Sequence, residues 1–511
     1  MTAHLHQWAR TQLAVLNVPI TRLVTDSRSV HPGDIFIAYP GEKTDGRQYI
    51  ASAVTQGAGA VIWEAQHFVW NDSWQVPNLA VSDLRSKAGW LADAAYDTPS
   101  EKLWMVGITG TNGKTSTCHW IAHALSQTGK SCALIGTLGN GFAGALRLTE
   151  NTTPDAVRVH GLLADYLQVG ARAVAMEVSS HALSQGRVNA VHFDVAMLTN
   201  LSRDHLDYHG DMHSYADTKR RLFEWQKLGF VVMNLDDPYG VELAEKLQDA
   251  DAEVIGYGLT DTALQFAERL GLRMVYGNLL AMTGQGLRLE VHSSWGAAEI
   301  DCGLVGRFNA TNLLGVLGVL LVSGVPLSEA ADSLSRAQPV VGRMQRLGSA
   351  DEPTVIVDYA HTPDALEKVL RALREISTAE GGKLLCVFGC GGDRDRGKRA
   401  MMGLVAERFS DYCIVTSDNP RSENPHEIIA EIISGMNEDN HEVIVDRAAA
   451  IQSAINYAKQ NDTVLIAGKG HENYQEINGI RRPFNDASVA RQVLQSSHAF
   501  RQAQDKLRGG Q

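Results

Sequence analysis

Lys114 and Thr115 close a short glycine turn, Gly110-Thr111-Asn112-Gly113, that follows the apolar run Leu103 to Val106. The next residues, Cys118 to Leu125, place their apolar members at helical spacing. A buried strand that turns through glycines into Lys-Thr and a helix is a cradle for phosphate. Backbone N–H groups and the positive helix end face the anion, Lys114 adds charge, and the Thr115 hydroxyl can reach Mg²⁺. The strict GxxxxGK[ST] spacing is not met, because Ile108 stands where the first glycine belongs and Gly107 lies one residue further out. A chance glycine turn is the competing reading; the strand-to-helix context disfavours it, and ATP is the expected ligand.

Two further clusters lie downstream, each after a strand-like run. Glu177 ends Ala173-Val174-Ala175-Met176 and precedes Val178-Ser179-Ser180-His181. A carboxylate at a strand end beyond a phosphate loop suits a hard Mg²⁺ site. Asn200-Leu201-Ser202-Arg203-Asp204-His205-Leu206-Asp207-Tyr208-His209 follows Val195 to Leu198 and is equally readable as a solvated loop. Lys219, in Thr218-Lys219-Arg220-Arg221, reads by itself as an exposed helical lysine.

The elements that must hold these groups fall into three stretches. With 511 residues, 44% hydrophobic and 20% charged, the chain has the size and core of a multidomain globular protein. A net charge of −12 argues against a nucleic-acid partner, which usually needs a basic face. Anionic ligands must then be met by local arginines and backbone amides. Six cysteines are scattered without a disulfide framework, and Cys386 and Cys390 read as buried thiols because no second pair follows. Met1 to Arg10 carries no basic-then-apolar leader and no apolar run reaches membrane-spanning length, so a cytoplasmic protein with no membrane partner is expected.

Short strands at Asp34 to Tyr39 and Ala60 to Trp63, with a helix from Arg85 to Tyr96, make a first unit ending at the polar linker Asp97-Thr98-Pro99-Ser100-Glu101. A second break lies near Ala337-Gln338-Pro339. Beyond it strands and helices alternate: Thr354 to Asp358, Pro363 to Ile376, Lys383 to Phe388, Lys398 to Phe409, Tyr412 to Thr416, His426 to Met436, Val443 to Asp446, Ala448 to Ala458 and Val464 to Ala467. Such alternation implies βαβ units around a mostly parallel sheet, with ligands at the strand ends. The predicted fold is α/β in three domains, 1–101, 102–338 and 339–511.

Taken in chain order, the phosphate loop, the Glu177 segment and Asp204 to His209 resemble the Mur ligase family. So do Gly306-Arg307-Phe308-Asn309-Ala310-Thr311-Asn312, Asp358-Tyr359-Ala360-His361-Thr362-Pro363-Asp364 and Gly468-Lys469-Gly470-His471-Glu472. Asp418-Asn419-Pro420-Arg421 resembles the recognition motif of the family's diaminopimelate-adding branch. The resemblance runs from about Thr25 to Glu472. It implies a UDP-binding N-terminal domain, a central ATPase and a C-terminal Rossmann-like domain, acting together as an ATP- and Mg²⁺-dependent amide ligase in peptidoglycan precursor synthesis. A lysine-adding homologue, a folate polyglutamating relative and a nucleotide-driven P-loop switch are the alternatives. Arg421 disfavours the first, since lysine lacks a second carboxylate, and the Thr25-to-Arg47 region would stay unexplained in the second.

The same resemblance implies residue roles. Gly110, Thr111, Asn112, Gly113, Lys114, Thr115 and Ser116 would bind ATP phosphates, Asn309 and Asn312 the base, and Arg343 and Asp358 phosphate and ribose. Thr115, Glu177, His205 and Lys219 would hold Mg²⁺, with Lys219 carboxylated on its amine; Lys114, His205 and Lys219 would be catalytic. A carbamate there makes sense, because a free ammonium repels Mg²⁺ while a carbamate offers an anionic oxygen. UDP-N-acetylmuramoyl-L-alanyl-D-glutamate would meet Thr25, Ser27, Asn151, Thr152, Thr153, Ser179, Gln185 and Arg187. Glu42 and Lys43 replace the His-Gln expected of the family in that region, which leaves their roles open. meso-Diaminopimelate would meet Arg394, Asp418, Asn419, Pro420, Arg421, Gly468 and Glu472, with the two arginines forming a planar fork for a carboxylate. A monomer is expected.

Overall fold

A computed structural model describes residues 2–42, 44–149, 151–349 and 352–496. The first sheet has four parallel strands in the order Leu23–Val24, Ile35–Ala38, Ala60–Glu64 and Asn78–Val81. Helices Thr2–Leu16 and Leu84–Ala95 pack together on it.

The central sheet has ten strands. Seven of them run parallel, in the order Arg273–Thr283, Glu253–Gly258, Phe230–Asn234, Val195–Leu198, Trp104–Thr109, Ala173–Glu177 and Cys132–Gly136. Trp104–Thr109 lies mid-sheet and is apolar without alternation, as a strand covered on both faces must be. The helix Lys114–Gln127 covers one face together with Arg307–Val322, a helix apolar on nearly every side because sheet and neighbouring helices enclose it. Gly286–Ser293 and Gly296–Cys302 extend the sheet antiparallel. Here Leu287, Leu289 and Val291 are buried while Arg288 and His292 face solvent, the alternation of a half-buried edge.

The third sheet has six strands, in the order Gln345–Leu347, Thr354–Asp358, Thr463–Ala467, Leu384–Phe388, Tyr412–Val415 and His441–Val443, all parallel except the first. A hairpin, Tyr474–Ile477 with Ile480–Pro483, follows it.

Two expectations shift. The strand foreseen at Val443 to Asp446 sits at His441–Val443, because Asp446 caps the helix Arg447–Tyr457 by accepting from the Ala449 N–H. The polar stretch Asp97 to Glu101 is a packed joint and not a loose linker. Asp97 and Thr98 adopt left-handed φ of 55° and 50°, and the fully buried Ser100 Oγ accepts from the His192 N–H at 3.0 Å. Buried Asp93 also lies at this joint, 3.2 Å from His6 Nδ1 and 3.4 Å from His160 Nδ1 of the central unit. All six cysteines are buried and unpaired, and burial lifts the Cys390 thiol to about 12. Alkylation by a thiol reagent is therefore expected to wait for denaturant; prompt labelling of the native protein would contradict this packing.

Candidate active site

The phosphate loop is built by close approach. Gly110 has φ of +145°, and a Cβ there would stand 1.9 Å from Thr199 Oγ1, so no larger residue fits. Gly113 has φ of +88° and packs on Asn312, whose Nδ2 would be 2.9 Å from an added Cβ. The neighbouring strand end pins the turn: Thr111 N–H donates to Asn200 O, Asn112 N–H to Asn200 Oδ1, and Thr199 Oγ1 to Asn112 O. Ile108 belongs to the strand core, its carbonyl taken by Val178 N–H, so the turn begins only after Thr109. Lys114 Nζ curls over the loop onto the Gly110 and Thr111 carbonyls at 2.8 and 2.9 Å, and burial lowers its pKa.

Glu177 is buried at its strand end, where it accepts from Thr115 Oγ1 at 3.0 Å, Thr137 N at 2.8 Å and Thr137 Oγ1 at 3.1 Å. His205 takes a left-handed φ of 55° that aims Nε2 at Asp204 Oδ2, 3.2 Å away, and burial holds its imidazole well below the usual pKa. Lys219, expected from sequence alone to be exposed, is 1% exposed at the end of the helix Met212–Arg220. Its Nζ donates to Gly110 O at 2.9 Å and sits 4.6 Å from the centre of the Tyr215 ring. Burial first, and Lys114 second, push that amine well below the ordinary lysine range.

Among the described residues, no three His, Cys, Asp or Glu side chains form a metal cage by themselves. Mg²⁺ does not require one: it commonly takes one or two carboxylates plus water and phosphate oxygens. The hydroxyl of Thr115 against the buried Glu177 carboxylate is a donor set of that hard-oxygen kind.

Thr153 Oγ1 donates to Glu177 O at 2.7 Å, and Thr152 Oγ1 meets Thr137 Oγ1 at 3.0 Å, so this pair borders the carboxylate site. Arg187 donates to Thr153 O at 2.8 Å and to Gln185 Oε1 at 2.7 Å, while Ser179 Oγ caps the next helix and Asn151 is exposed. Thr25 lies beside Asp155, and Ser27 is buried in the turn after it. Glu42 has a defined place: it accepts from Gln185 Nε2 at 2.6 Å and from Tyr208 OH at 3.2 Å, bridging the first and second units. Lys43 lies outside the described residues.

The third sheet closes over the loop. Arg343 stacks on Tyr359 at 4.2 Å and donates to Thr115 Oγ1 at 3.4 Å. Asp358 accepts from the Met344 and Ala360 N–H groups. Asn309 is tied to Val305 O, one turn before Asn312. Three contacts went unforeseen: Asn112 Nδ2 donates to Asp364 Oδ2 at 3.0 Å, and buried Asp204 lies 3.7 Å from His361 Nε2 and 4.0 Å from Lys398 Nζ. Only the density of His and Asp around Asp204 hinted at them.

Asp418 to Arg421 leave the strand Tyr412–Val415 and meet the hairpin. Arg421, at φ of 50°, donates its N–H to Glu476 O, accepts from Asn478 N–H, and sends Nη1 to Gly392 O at 2.7 Å. Arg394 is exposed, but it and Arg421 flank Gly391, where an added Cβ would be 2.9 Å from Arg421 Nη1 and 3.8 Å from Arg394 Cγ. Both arginines thus border Gly391, with the Arg394 guanidinium turned onto Asp393 O at 3.2 Å. Gly468 has φ of +118°, and a Cβ there would be 2.7 Å from Asp418 Oδ2, a buried oxygen with no hydrogen-bond partner among the described residues. Asn419 Nδ2 donates to Glu472 Oε2 at 2.8 Å. Behind them stands the fully buried pair Arg447–Asp486 at 2.7 Å, which no sequence pattern had marked.

Three family models match the chain in succession. Residues 19–96, 108–320 and 342–470 match, respectively, the models for the Mur ligase family catalytic domain, the Mur ligase middle domain and the Mur ligase glutamate ligase domain. The UDP-N-acetylmuramoyl-L-alanyl-D-glutamate–2,6-diaminopimelate ligase of Chromobacterium violaceum is 51% identical over 96% of this chain and 97% of its own. That of Pseudomonas aeruginosa is 48% identical over 93% and 95%. A solved structure of such a ligase superposes with a TM-score of 0.64 at 37% identity, covering 94% of this chain and 96% of that one. MurF from Acinetobacter baumannii shares the fold at a TM-score of 0.65 and 19% identity, covering 88% and 90%.

Proposed function

The chain belongs to the Mur ligase family, and from that premise we propose that it joins meso-diaminopimelate to UDP-N-acetylmuramoyl-L-alanyl-D-glutamate with ATP. The observation that carries this is one of placement. Thr115, at the start of the helix after the phosphate loop, is in contact with Arg343, which leads into the first strand of the third sheet; segments beyond other strand ends of that sheet carry Asp418 to Arg421 and Glu472. The three units proposed are 1–101, 102–338 and 339–511, each with one substrate to hold.

In the proposed reaction the γ-carboxylate of the D-glutamyl residue attacks the γ-phosphorus of ATP, ADP leaves, and an acyl phosphate forms. The free amine of diaminopimelate then attacks the acyl carbon, loses a proton, and expels inorganic phosphate from the tetrahedral intermediate. Phosphoryl transfer demands mainly positioning and charge stabilisation. The backbone N–H groups of Gly113 to Ser116 cradle the phosphates in a turn that Gly110, Thr111 and Asn112 shape against Asn200, Lys114 swings from its loop carbonyls onto them, and Arg343 reaches them beside Thr115. Mg²⁺ held by Thr115, Glu177, His205 and a carboxylated Lys219 would neutralise phosphate charge. Asn309 and Asn312 serve the base and Asp358 the ribose. Thr25, Ser27, Asn151, Thr152, Thr153, Ser179, Gln185 and Arg187 hold the UDP-linked peptide, and Glu42 reaches the same region through Gln185.

Among the described residues no helix is long and apolar enough to cross a membrane. A monomer working in the cytoplasm on small-molecule substrates is part of the proposal. The test is phosphate release from ATP, with each substrate omitted in turn and with meso-diaminopimelate, L-lysine and L-ornithine compared. Release is expected only when the UDP-dipeptide and diaminopimelate are both present. Turnover of ATP alone would point to a nucleotide-driven switch, and equal use of lysine would remove the diaminopimelate assignment.

A further inference from the structure

Lys469 is a lysine with no exposure, and the reaction as derived above gives it nothing to do. Its Nζ donates to Asn419 Oδ1 at 2.9 Å and to Glu472 Oε2 at 2.8 Å, and lies 5.6 Å from the centre of the Tyr474 ring. A buried ammonium needs its charge and all of its donors answered, and here a carboxylate, an amide oxygen and an aromatic face do so. Two consequences follow for the neighbours. The Asn419 amide cannot flip, because Oδ1 receives both Lys469 Nζ and the Glu476 N–H at 2.9 Å while Nδ2 donates to Glu472. Glu472 has its negative charge balanced through Oε2, and no hydrogen bond among the described residues falls on Oε1.

We propose that Lys469 is a positioning residue that sets amino-acid selectivity: it locks the Asn419 amide and offsets the Glu472 charge between the two substrate-facing loops. This deepens the ligase reading and rests on it. A pocket in which Glu472 is balanced can accept an amino-acid end that carries ammonium and carboxylate together. Without Lys469 the same pocket presents an unbalanced carboxylate, which attracts a bare ammonium and repels a carboxylate. The side chain touches other protein groups and acts on substrate through them.

The experiment uses the full-length enzyme carrying Lys469→Met, with meso-diaminopimelate, L-lysine or ATP varied in turn and the other substrates saturating. The KM for diaminopimelate is expected to rise by about tenfold or more, and the diaminopimelate-to-lysine ratio of kcat/KM to fall by about tenfold or more. The KM for ATP should stay within about twofold, a split that general loosening of the fold would not produce. Lys469→Arg, which keeps the charge, should recover most of the selectivity. If Lys469→Met does not fold, Lys469→Gln supplies the reading, since it keeps a donor and loses the charge; its ratio should fall as well. An unchanged ratio, or a parallel rise of all three KM values, overturns the proposal. A wild type that prefers L-lysine would refute the substrate reading instead, while the effect of Lys469→Met on the KM of the preferred amino acid would still report on Lys469.

Discussion

Lys219→Ala is expected to lose activity by about 10²–10³-fold while the protein stays folded, the scale on which active sites lose rate when one preorganised stabilising group is removed. Lys219 is buried beside the phosphate loop, its amine on Gly110 O and over the Tyr215 ring. A free ammonium there would oppose the Mg²⁺ that the neighbouring Thr115 and Glu177 suit; a carbamate would supply one more anionic oxygen. Burial and Lys114 both disfavour the charged amine, and only the neutral amine can add carbon dioxide. Lys219→Arg separates the two roles, since it keeps a positive charge and cannot be carboxylated, and it should be as inactive as the alanine variant. Short carboxylic acids should partly restore Lys219→Ala by placing an oxygen in the vacated space. Near wild-type rates in either variant, with melting temperatures unchanged, would remove the carbamate from the mechanism.

Arg421→Ala should lower kcat/KM for meso-diaminopimelate by about 10²–10³-fold, the usual cost of leaving a desolvated charge unpaired, and leave the KM for ATP almost unchanged. Its backbone is fixed by the hairpin on both sides and its Nη1 by Gly392 O, so the guanidinium is held before substrate arrives. A pocket built for the second carboxylate should disfavour lysine by up to about 10⁴-fold in the wild type, because lysine brings no carboxylate to the arginine's remaining donors. The variant should narrow that gap without making lysine a good substrate. Rates with diaminopimelate and lysine, measured on both proteins, check this. A wild type that uses the two equally would withdraw the role of Arg421 and leave the ligase class intact.

The chemical inventory and the class of fold are legible in local stretches of the chain. Gly110 to Thr115 announce a phosphate cradle within six residues because the glycine conformations and the helix start are local properties. The alternation after Pro339 is likewise local, and all but one of its nine segments overlap the foreseen kind of element well, the strand near Val443 having moved toward His441. The strand Gly286–Ser293 carries a legible two-residue alternation at Leu287, Leu289 and Val291.

Tertiary structure decided which of these groups meet. Arg343 reaches Thr115 across 228 residues, and Glu42 reaches Gln185 across 143. Nothing near either residue in the chain encodes the approach, which depends on how one sheet packs against the next. The same holds for Asp204 between His361 and Lys398, and for the hairpin that holds Arg421. Burial of Lys219 and Lys469 is the clearest case. Lysine is ordinarily a surface residue, and only the assembled neighbours, a loop carbonyl for one and Asn419 with Glu472 for the other, supply the partners that let an amine leave water.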